Sequence, residues 1–143
     1  MTDSPISIKQ EFNASIDKVW KAITDKNQMI KWYFENIPDF KPTVGFETRF
    51  NIHHNGKDYL HIWKVTDVIP IQKIVYNWKY EGYTGDSFVI WELNTEDNKT
   101  ILKFSHHGQS SFPQDNPDFK RENCTQGWIY FIQERLKHFL DLN

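Results

Sequence analysis

Residues 46–106 alternate large apolar side chains with polar ones in five runs, and turn-forming residues separate the runs. Alternation with a period of two is typical of β-strands that bury one face. The first turn is the clearest, because Asn55-Gly56 between two alternating runs is the strongest short-range signal for a two-residue hairpin. This turn sets His54 opposite Lys57. The region therefore predicts a sheet of five consecutive antiparallel strands.

Three further hairpins are predicted from Gly, Pro, Asn and Asp positions, with turns at residues 68–71, 82–85 and 95–98. These turns pair Trp63 with Tyr76, Tyr76 with Trp91, and Trp91 with Leu102. A slip by one residue would move every side chain to the other face, so the register is strongly specified. One face then collects the large side chains: Phe46, Thr48, Phe50, Ile52, Tyr59, His61, Trp63, Val65, Ile74, Tyr76, Trp78, Tyr80, Ser87, Val89, Trp91, Leu93, Thr100, Leu102, Phe104 and His106. That face is predicted to be the core or a cavity wall.

A strand and two short helices are predicted before this sheet. Residues 6–12 alternate in the manner of an edge strand with one buried face. Ser15 is a favourable N-cap for a first helix, whose apolar residues recur at helical spacing. Asp25, with Gln28 three positions later, resembles a capping box that begins a second helix through Trp32.

A long amphipathic helix is predicted near the C-terminus. Asn116 is its expected N-cap and Pro117 its first residue. About 24 residues would span roughly 36 Å, enough to cross a sheet. Its apolar stripe consists of Cys124, Trp128, Phe131, Ile132, Leu136, Phe139 and Leu140. Because the stripe needs a partner and the aromatic sheet face needs a cover, we expect the helix to lie across that face.

The predicted order of elements is β-α-α, five further strands and a final helix, within a single domain of residues 1–143. Runs of strands followed by a helix are typical of the α+β class. The architecture expected from these elements is a curved antiparallel sheet wrapped around a long C-terminal helix, with the two short helices closing one end.

Several short segments occur in the order found in a known superfamily: Phe12–Asp25, Lys31-Trp32-Tyr33, Val44-Gly45, Asp67–Pro70, Ile74–Trp78, Ser105–Gly108 and Gly127-Trp128. Together they resemble the SRPBCC (START-like) superfamily. Within it, the chain looks most similar to the C-terminal domain of the heat-shock-protein-90 ATPase activator homologue (AHSA-like) family. The resemblance implies the helix-grip fold over nearly the whole chain. It leaves the function open, because one fold hosts many activities.

The bulk properties argue against several kinds of partner. A net charge of −2 over 143 residues is not expected of a nucleic-acid-binding or polybasic membrane surface. No apolar run approaches the roughly 20 residues of a membrane span, and residues 1–5 lack the features of a signal peptide. With Cys124 as the only cysteine, no intramolecular disulfide can form, which fits a reducing compartment. The expected location is cytoplasmic.

Metal binding, cofactor binding and nucleophilic catalysis are all disfavoured. His53-His54 and His106-His107 are adjacent strand residues, so each pair points to opposite faces. The six glycines are scattered and form no phosphate-binding loop. Cys124 occupies an apolar-stripe position, where a small buried hydrophobe is the usual role. We therefore expect no metal, no cofactor and no enzymatic activity.

A small apolar or aromatic, lipid-like ligand is the expected partner. Aromatic residues make up 16% of the chain, and large flat side chains both fill cores and line pockets. A cavity between the last helix and the sheet would draw on ten candidate ligand-binding residues: His61, Trp63, Tyr76, Trp78, Trp91, Phe104, His106, Cys124, Trp128 and Phe131. The two histidines are the polar members of this set.

Three of these features admit two interpretations. His61 is either a hydrogen-bonded core histidine or a group that bonds a ligand. Gly127, in mid-helix, either packs closely against the sheet or leaves room for a ligand. One predicted cross-strand row is either the wet end of a pocket or the solvated rim of the sheet: Tyr59, Tyr80, Ser87 and His106.

Three functions remain open at this level. The first is a non-enzymatic binding module for an apolar molecule. The second, implied by the resemblance alone, is a co-chaperone-like interaction domain, although the eukaryotic activators also carry a separate N-terminal domain. The third is a cyclase- or aromatase-type enzyme, for which His61, His106 and tyrosines are the inward acid–base groups. The polar outer sheet face has no large apolar patch to force dimerisation, so a monomer or weak dimer is expected.

Overall fold

The computed structural model describes residues 4–142. The prediction that residues 1–5 are not a signal peptide partly concerns residues 1–3, which lie outside the described residues. The strands are β1 (Ile6–Phe12), β2 (Glu47–His54), β3 (Lys57–Ile69), β4 (Lys73–Tyr80), β5 (Ser87–Glu96) and β6 (Lys99–His107). They form one antiparallel sheet in the order β1-β6-β5-β4-β3-β2. The strand of residues 6–12 therefore lies at an edge, as predicted.

The helices cover one face of this sheet. They are α1 (Ile16–Thr24), α2 (Lys26–Trp32), α3 (Arg121–Ile129) and α4 (Lys137–Leu142), and a π-helical segment (Tyr130–Leu136) joins α3 to α4. We call residues 121–142 the C-terminal helix. Two 3-10 turns precede it, at Gln109–Ser111 and Pro117–Phe119. This is the α+β, helix-grip architecture that the resemblance implies.

The predicted faces of the sheet are confirmed, whereas three of the four predicted registers are wrong by two residues. The hairpin at Asn55-Gly56 pairs His54 with Lys57 as expected, and both turn residues have the positive φ of a type I′ turn. The other observed pairs are Trp63 with Trp78, Tyr76 with Val89, and Trp91 with Phe104. Because a shift of two is even, every side chain keeps its face.

The register errors have local causes. Asp97-Asn98 forms a two-residue turn with φ of 52° and 65°, since Asp and Asn tolerate the left-handed region. The β3–β4 turn lies at residues 70–72, because Ile69 pairs with Lys73, and this shifts the pairing of Asp67 by three residues. The one-residue bulge between Val65 and Asp67 reduces the shift to two at Trp63. Between β4 and β5, the last pair is Trp78 with Ser87, which leaves a longer connection than the predicted turn.

The C-terminal helix begins at Arg121, four residues later than predicted. The Asn116 side chain does act as a cap, but it accepts the Asp118 backbone N–H at 3.0 Å within the 3-10 turn. Lys120 is extended and separates this turn from α3. The buried residues of the C-terminal helix recur every four positions: Trp128, Ile132, Leu136 and Leu140. A π-helical segment has more residues per turn than an α-helix, so it keeps this spacing on one face.

The caps of the first two helices are partly as predicted. Ser15 accepts the Lys18 backbone N–H at 3.3 Å, as expected of an N-cap. Asp25 is the N-cap residue of α2, but its side chain makes no capping hydrogen bond, so the predicted capping box is wrong. Instead, the Trp32 indole N–H donates to the Ala22 carbonyl at 2.8 Å and fixes α2 against α1.

Candidate functional site

A cavity of about 290 Å³ lies between the C-terminal helix, the concave face of the sheet and the turn that precedes the helix. Six of the ten predicted ligand-binding residues line it: His61, Trp78, His106, Cys124, Trp128 and Phe131. The other four are packed in the core and lie outside its wall: Trp63, Tyr76, Trp91 and Phe104. A role in binding for the six residues remains a prediction.

Tyr33, at the end of α2, packs against three of those four residues, Trp63, Tyr76 and Trp91. Its ring stacks on Trp32 at 4.6 Å between centroids, and its hydroxyl lies 3.0 Å from that of Tyr76. The Trp91 indole N–H donates to the same Tyr76 hydroxyl at 3.2 Å. Burial raises the pKa of Tyr33 and Tyr76, so both hydroxyls stay protonated. These bonds satisfy the hydroxyls of Tyr33 and Tyr76 and the Trp91 indole, whereas the Trp63 indole N–H is buried without a partner among the described residues.

Eight further residues complete the wall and were not among the candidates: Phe34, Ile52, His54, Tyr59, Tyr80, Asp118, Phe119 and Gly127. The sequence carries a signal for four of them: Ile52, Tyr59 and Tyr80 belong to the face predicted to be buried, and Gly127 is a mid-helix glycine that could leave room for a ligand. Asp118 and Phe119 come from the 3-10 turn. The sequence does not indicate them as cavity residues, because it predicts that residues 117–119 are the first turn of the long helix.

Gly127 faces open space. A Cβ added at this position would meet no atom within 4 Å, and the residue lines the cavity. The interpretation of close packing against the sheet is therefore wrong. The absence of a side chain here enlarges the cavity, at a cost to helix stability of about 1 kcal/mol relative to Ala.

His106 is held by hydrogen bonds at both ring nitrogens. The Trp128 indole N–H donates to Nδ1 at 3.1 Å. Nε2 must therefore carry the proton in the neutral ring, and it donates to Ser87 Oγ at 3.0 Å. The Ser87 hydroxyl donates onward to the Trp78 carbonyl at 2.7 Å. Burial, helped by His107, lowers the pKa of His106 to about 3, so the ring is neutral at neutral pH.

His61 has one nitrogen without a partner. Its Nδ1–H donates to the Tyr59 carbonyl at 3.0 Å, which leaves Nε2 as an unprotonated acceptor. No residue in the range 4–142 donates to Nε2. The ring is 5% exposed and stacks on Phe50, and burial lowers its pKa to about 4. The structure thus gives His61 both a satisfied core contact and a free acceptor in the cavity wall.

Trp78 lies beside His61 in the cavity wall. Its buried indole N–H makes no hydrogen bond of normal geometry within the described residues. It lies near enough to the Tyr80 hydroxyl to oppose the rise that burial causes in the pKa of that group. The rings of Trp78 and His61 meet edge to face, with their centroids 5.4 Å apart. The ring of Trp78 therefore lines the wall beside His61, while its indole N–H is fully buried.

Asp118 supplies a carboxylate to the same cavity. Tyr59 donates its hydroxyl to Oδ2, and the Asn55 side-chain amide donates to Oδ1 at 2.8 Å. Partial burial alone would raise the pKa of Asp118. The hydrogen bonds from Tyr59 and Asn55, with the nearby His54 and Lys57, outweigh it and lower the pKa below its ordinary value. The carboxyl group is therefore ionised at neutral pH.

Comparisons with known proteins identify the family. The sequence profile of the family described as Activator of Hsp90 ATPase homolog 1-like protein matches residues 13–141. The chain belongs to this family. No curated protein matches the AHSA1-like chain.

Several solved structures share the fold of this AHSA1-like chain. Protein CV1439 from Chromobacterium violaceum has a TM-score of 0.81 at 18% identity, over 99% of both chains. The Aha1 dimer from Colwellia psychrerythraea has a TM-score of 0.74 at 24% identity, over 97% of each chain. DynU16, from the dynemicin biosynthetic locus, has a TM-score of 0.78 at 22% identity, over 97% of this chain and 48% of that one. At these identities the likeness shows the fold alone.

The chemistry of the remaining groups in the AHSA1-like chain is limited. Burial raises the pKa of the Cys124 thiol to about 11, so it is a poor nucleophile. Within residues 4–142, no three His, Cys, Asp or Glu side chains come together in a way that could hold a metal ion. Within the same range, no helix is long and apolar enough to cross a membrane.

Proposed function

We propose that this AHSA1-like chain binds one small apolar or aromatic molecule in the cavity between the C-terminal helix and the sheet, and that it does so without transforming it. The observation that carries the proposal is an apolar cavity whose wall holds the acceptor His61 Nε2, to which no residue in the described range 4–142 donates. Concave, mostly apolar sites with a few polar groups are the usual form of small-molecule sites.

The volume of the cavity limits the size of the ligand. An apolar cavity of about 150 Å³ holds one benzene. The cavity here has a volume of about 290 Å³, which leaves room for two fused aromatic rings or an aliphatic chain of similar volume. Aromatic side chains from three sources surround it: Phe34 after α2, Trp78 from the sheet, and Trp128 and Phe131 from the C-terminal helix.

The alternatives have less support in the site. In His106 both ring nitrogens are already hydrogen-bonded, so it is not free to move a proton. Other ionisable residues, among them His54, His61 and Asp118, also line the cavity, and we propose no reaction for them. The co-chaperone alternative rests on family membership alone. The cytoplasmic location and the monomeric or weakly dimeric state also remain predictions.

Naphthalene is a suitable probe, because its two fused rings match the cavity volume. We expect saturable binding in ligand-observed NMR titrations of the wild type. Gly127→Leu places a side chain in the open space at the wall, and we expect it to weaken binding at least about tenfold, or about 1.4 kcal/mol.

The matched control is Val44→Leu, which adds a methylene at an exposed loop residue that does not line the cavity. It should bind naphthalene as the wild type does. The proposal would be overturned by the absence of saturable binding to the wild type. It would also be overturned by undiminished binding to a folded Gly127→Leu variant.

A further inference from the structure

The two nitrogens of the buried His61 ring have different surroundings. Nδ1–H donates to the Tyr59 backbone carbonyl at 3.0 Å, whereas no residue in the range 4–142 donates to Nε2. Phe50 stacks on the ring with the centroids 5.0 Å apart, and Tyr80 contacts it edge to face at 4.8 Å. Turning the ring over would break the bond to the carbonyl and disturb these contacts. The protein therefore holds Nε2 in a fixed direction as an unused acceptor.

Nε2 of His61 can be reached from the cavity, unlike two unpaired indole nitrogens of the core. Among the described residues, the fully buried side-chain nitrogen and oxygen atoms without a partner are Trp63 Nε1 and Trp78 Nε1. His61 Nε2 lacks a donor too but is not one of these enclosed atoms, although only 5% of the residue is exposed. Since His61 lines the cavity, its remaining exposure is towards the space where a ligand would lie.

The chemistry of Nε2 restricts which ligand groups it can bind. Burial lowers the pKa of His61 to about 4, so at neutral pH this nitrogen carries a lone pair and only accepts hydrogen bonds. Carbonyl, ether and carboxylate oxygens also offer only lone pairs. A carboxylate would in addition bring a negative charge to a wall that no Lys or Arg of the described chain lines. A ligand N–H or O–H is the group that completes the bond.

We propose that the cavity selects ring molecules that carry an N–H or O–H donor, which they give to His61 Nε2, over molecules of the same shape that carry acceptors only. A buried acceptor that loses its water without gaining a donor is costly, which turns the match into selectivity. This inference rests on the proposed function and adds the chemical class of the ligand. It makes His61 the residue that determines specificity, while the surrounding aromatic side chains provide the apolar contact.

Indole and benzofuran test this selectivity, because they are flat bicyclic molecules of nearly the same size that differ at one ring position. Indole has an N–H at this position, and benzofuran has an oxygen without a proton. Ligand-observed NMR titrations give the Kd of each probe for the wild type and for His61→Phe, which keeps a ring against Phe50 and removes the acceptor. The preference for indole over benzofuran, as a ratio of Kd values, should fall about tenfold in His61→Phe.

The ratio is informative because both probes are measured on the same protein, so a general change in the cavity affects them alike. The matched control is His138→Gln, which removes a histidine from an exposed helix position outside the cavity wall. It should keep the wild-type ratio.

A second measurement on the wild type tests the inference even if His61→Phe folds poorly. With 15N-labelled histidine, the Nε2 resonance of His61 should shift several times further on addition of indole than on addition of benzofuran. His106 lines the same cavity and has both ring nitrogens hydrogen-bonded already. Its resonances therefore report the effect of a nearby aromatic probe alone and should respond similarly to the two probes.

The outcomes separate this inference from the proposed function. If indole, benzofuran and naphthalene all fail to bind, both are wrong. If naphthalene binds and indole does not, or if the ratio is unchanged in a folded His61→Phe, the cavity takes apolar molecules and the selectivity is wrong. An equal response of His61 Nε2 to the two probes would also overturn the selectivity. A ratio that falls as far in His138→Gln would overturn the assignment to His61.

Discussion

Trp128 of the C-terminal helix donates its indole N–H to Nδ1 of His106 on β6 over 3.1 Å. Both side chains are buried and both line the cavity. The bond fixes the tautomer of His106. His106 is in turn hydrogen-bonded to Ser87, and Ser87 donates to the backbone of β4. It therefore holds the helix in place on the sheet at the point where the two enclose the cavity.

Trp128→Phe should lower the free energy of unfolding by about 1–3 kcal/mol, because it leaves Nδ1 of His106 buried without a donor. Urea unfolding followed by circular dichroism measures this change. Trp20→Phe is the matched control, since Trp20 is half-buried and its indole makes no hydrogen bond within residues 4–142. Equal losses in the two variants would show that ring volume, and not the hydrogen bond, sets the cost.

Stability should fall on mild acidification because of His61 and His106. Burial lowers their pKa values to about 4 and about 3, below the roughly 6.5 expected in the unfolded chain. The unfolded state thus binds more protons in this range, so the stabilisation is complete above about pH 6.5 and is lost as the pH falls towards the folded-state values. Each histidine should contribute a slope of about 1.4 kcal/mol per pH unit.

Urea unfolding between about pH 7 and pH 5 measures this slope. His61→Phe should remove about half of it. His138→Gln, at an exposed helix position, should leave it unchanged. A slope in His61→Phe equal to that of the wild type would show that His61 is not held neutral by burial.

Gly127→Ala should raise the free energy of unfolding by about 0.5–1 kcal/mol, because Ala is the better helix former and the added Cβ meets no atom. The contrasting control is Gly85→Ala, where φ is +122° and the new Cβ would lie 2.5 Å from the Phe112 ring. That substitution should destabilise the fold. Both changes are read from urea midpoints, and a loss of stability in Gly127→Ala would argue against open space at this position.

Tyr76→Phe should lower the stability of the core without changing ligand binding in the cavity. It leaves the Trp91 N–H and the Tyr33 hydroxyl without their shared partner, so unfolding should become easier by about 1–3 kcal/mol. Naphthalene affinity should not change, because Tyr76 lies outside the cavity wall. Tyr33→Phe should cost less, since Tyr76 still accepts from Trp91. A large loss of affinity in Tyr76→Phe would place that residue in the binding site.

The sequence predicts which way side chains point better than which residues pair. Trp63, Trp78 and Trp91 were assigned to the correct face because alternation alone determines it. Their predicted partners are wrong because the β3–β4 turn lies at residues 70–72 and the β5–β6 turn is the two-residue Asp97-Asn98, and the bulge near Val65 corrects the first shift only in part. Such features depend on backbone conformations that several residue types can adopt, so composition is a weak guide to them.

The sequence likewise predicts part of the candidate site and misses the rest. His61 belongs to the alternating pattern of a strand and Trp128 to the apolar stripe of the last helix, and both lie in the cavity wall as expected. Asp118 was missed because a cap followed by Pro117 is equally compatible with an α-helix and with a 3-10 turn. Tyr33 was missed as well. No periodicity marks a single aromatic residue at a helix end that inserts between sheet and helix.

Locating bound naphthalene by intermolecular nuclear Overhauser effects tests the binding proposal most directly. The wild-type protein, with assigned aromatic resonances, should show contacts from the probe to Trp128, Phe131 and His61. It should show none to Tyr76 or Trp91, which the structure places in the packed core. Contacts confined to exposed apolar residues such as Ile69 and Ile71, or no contacts at saturating probe, would contradict the proposal that the cavity is a ligand site.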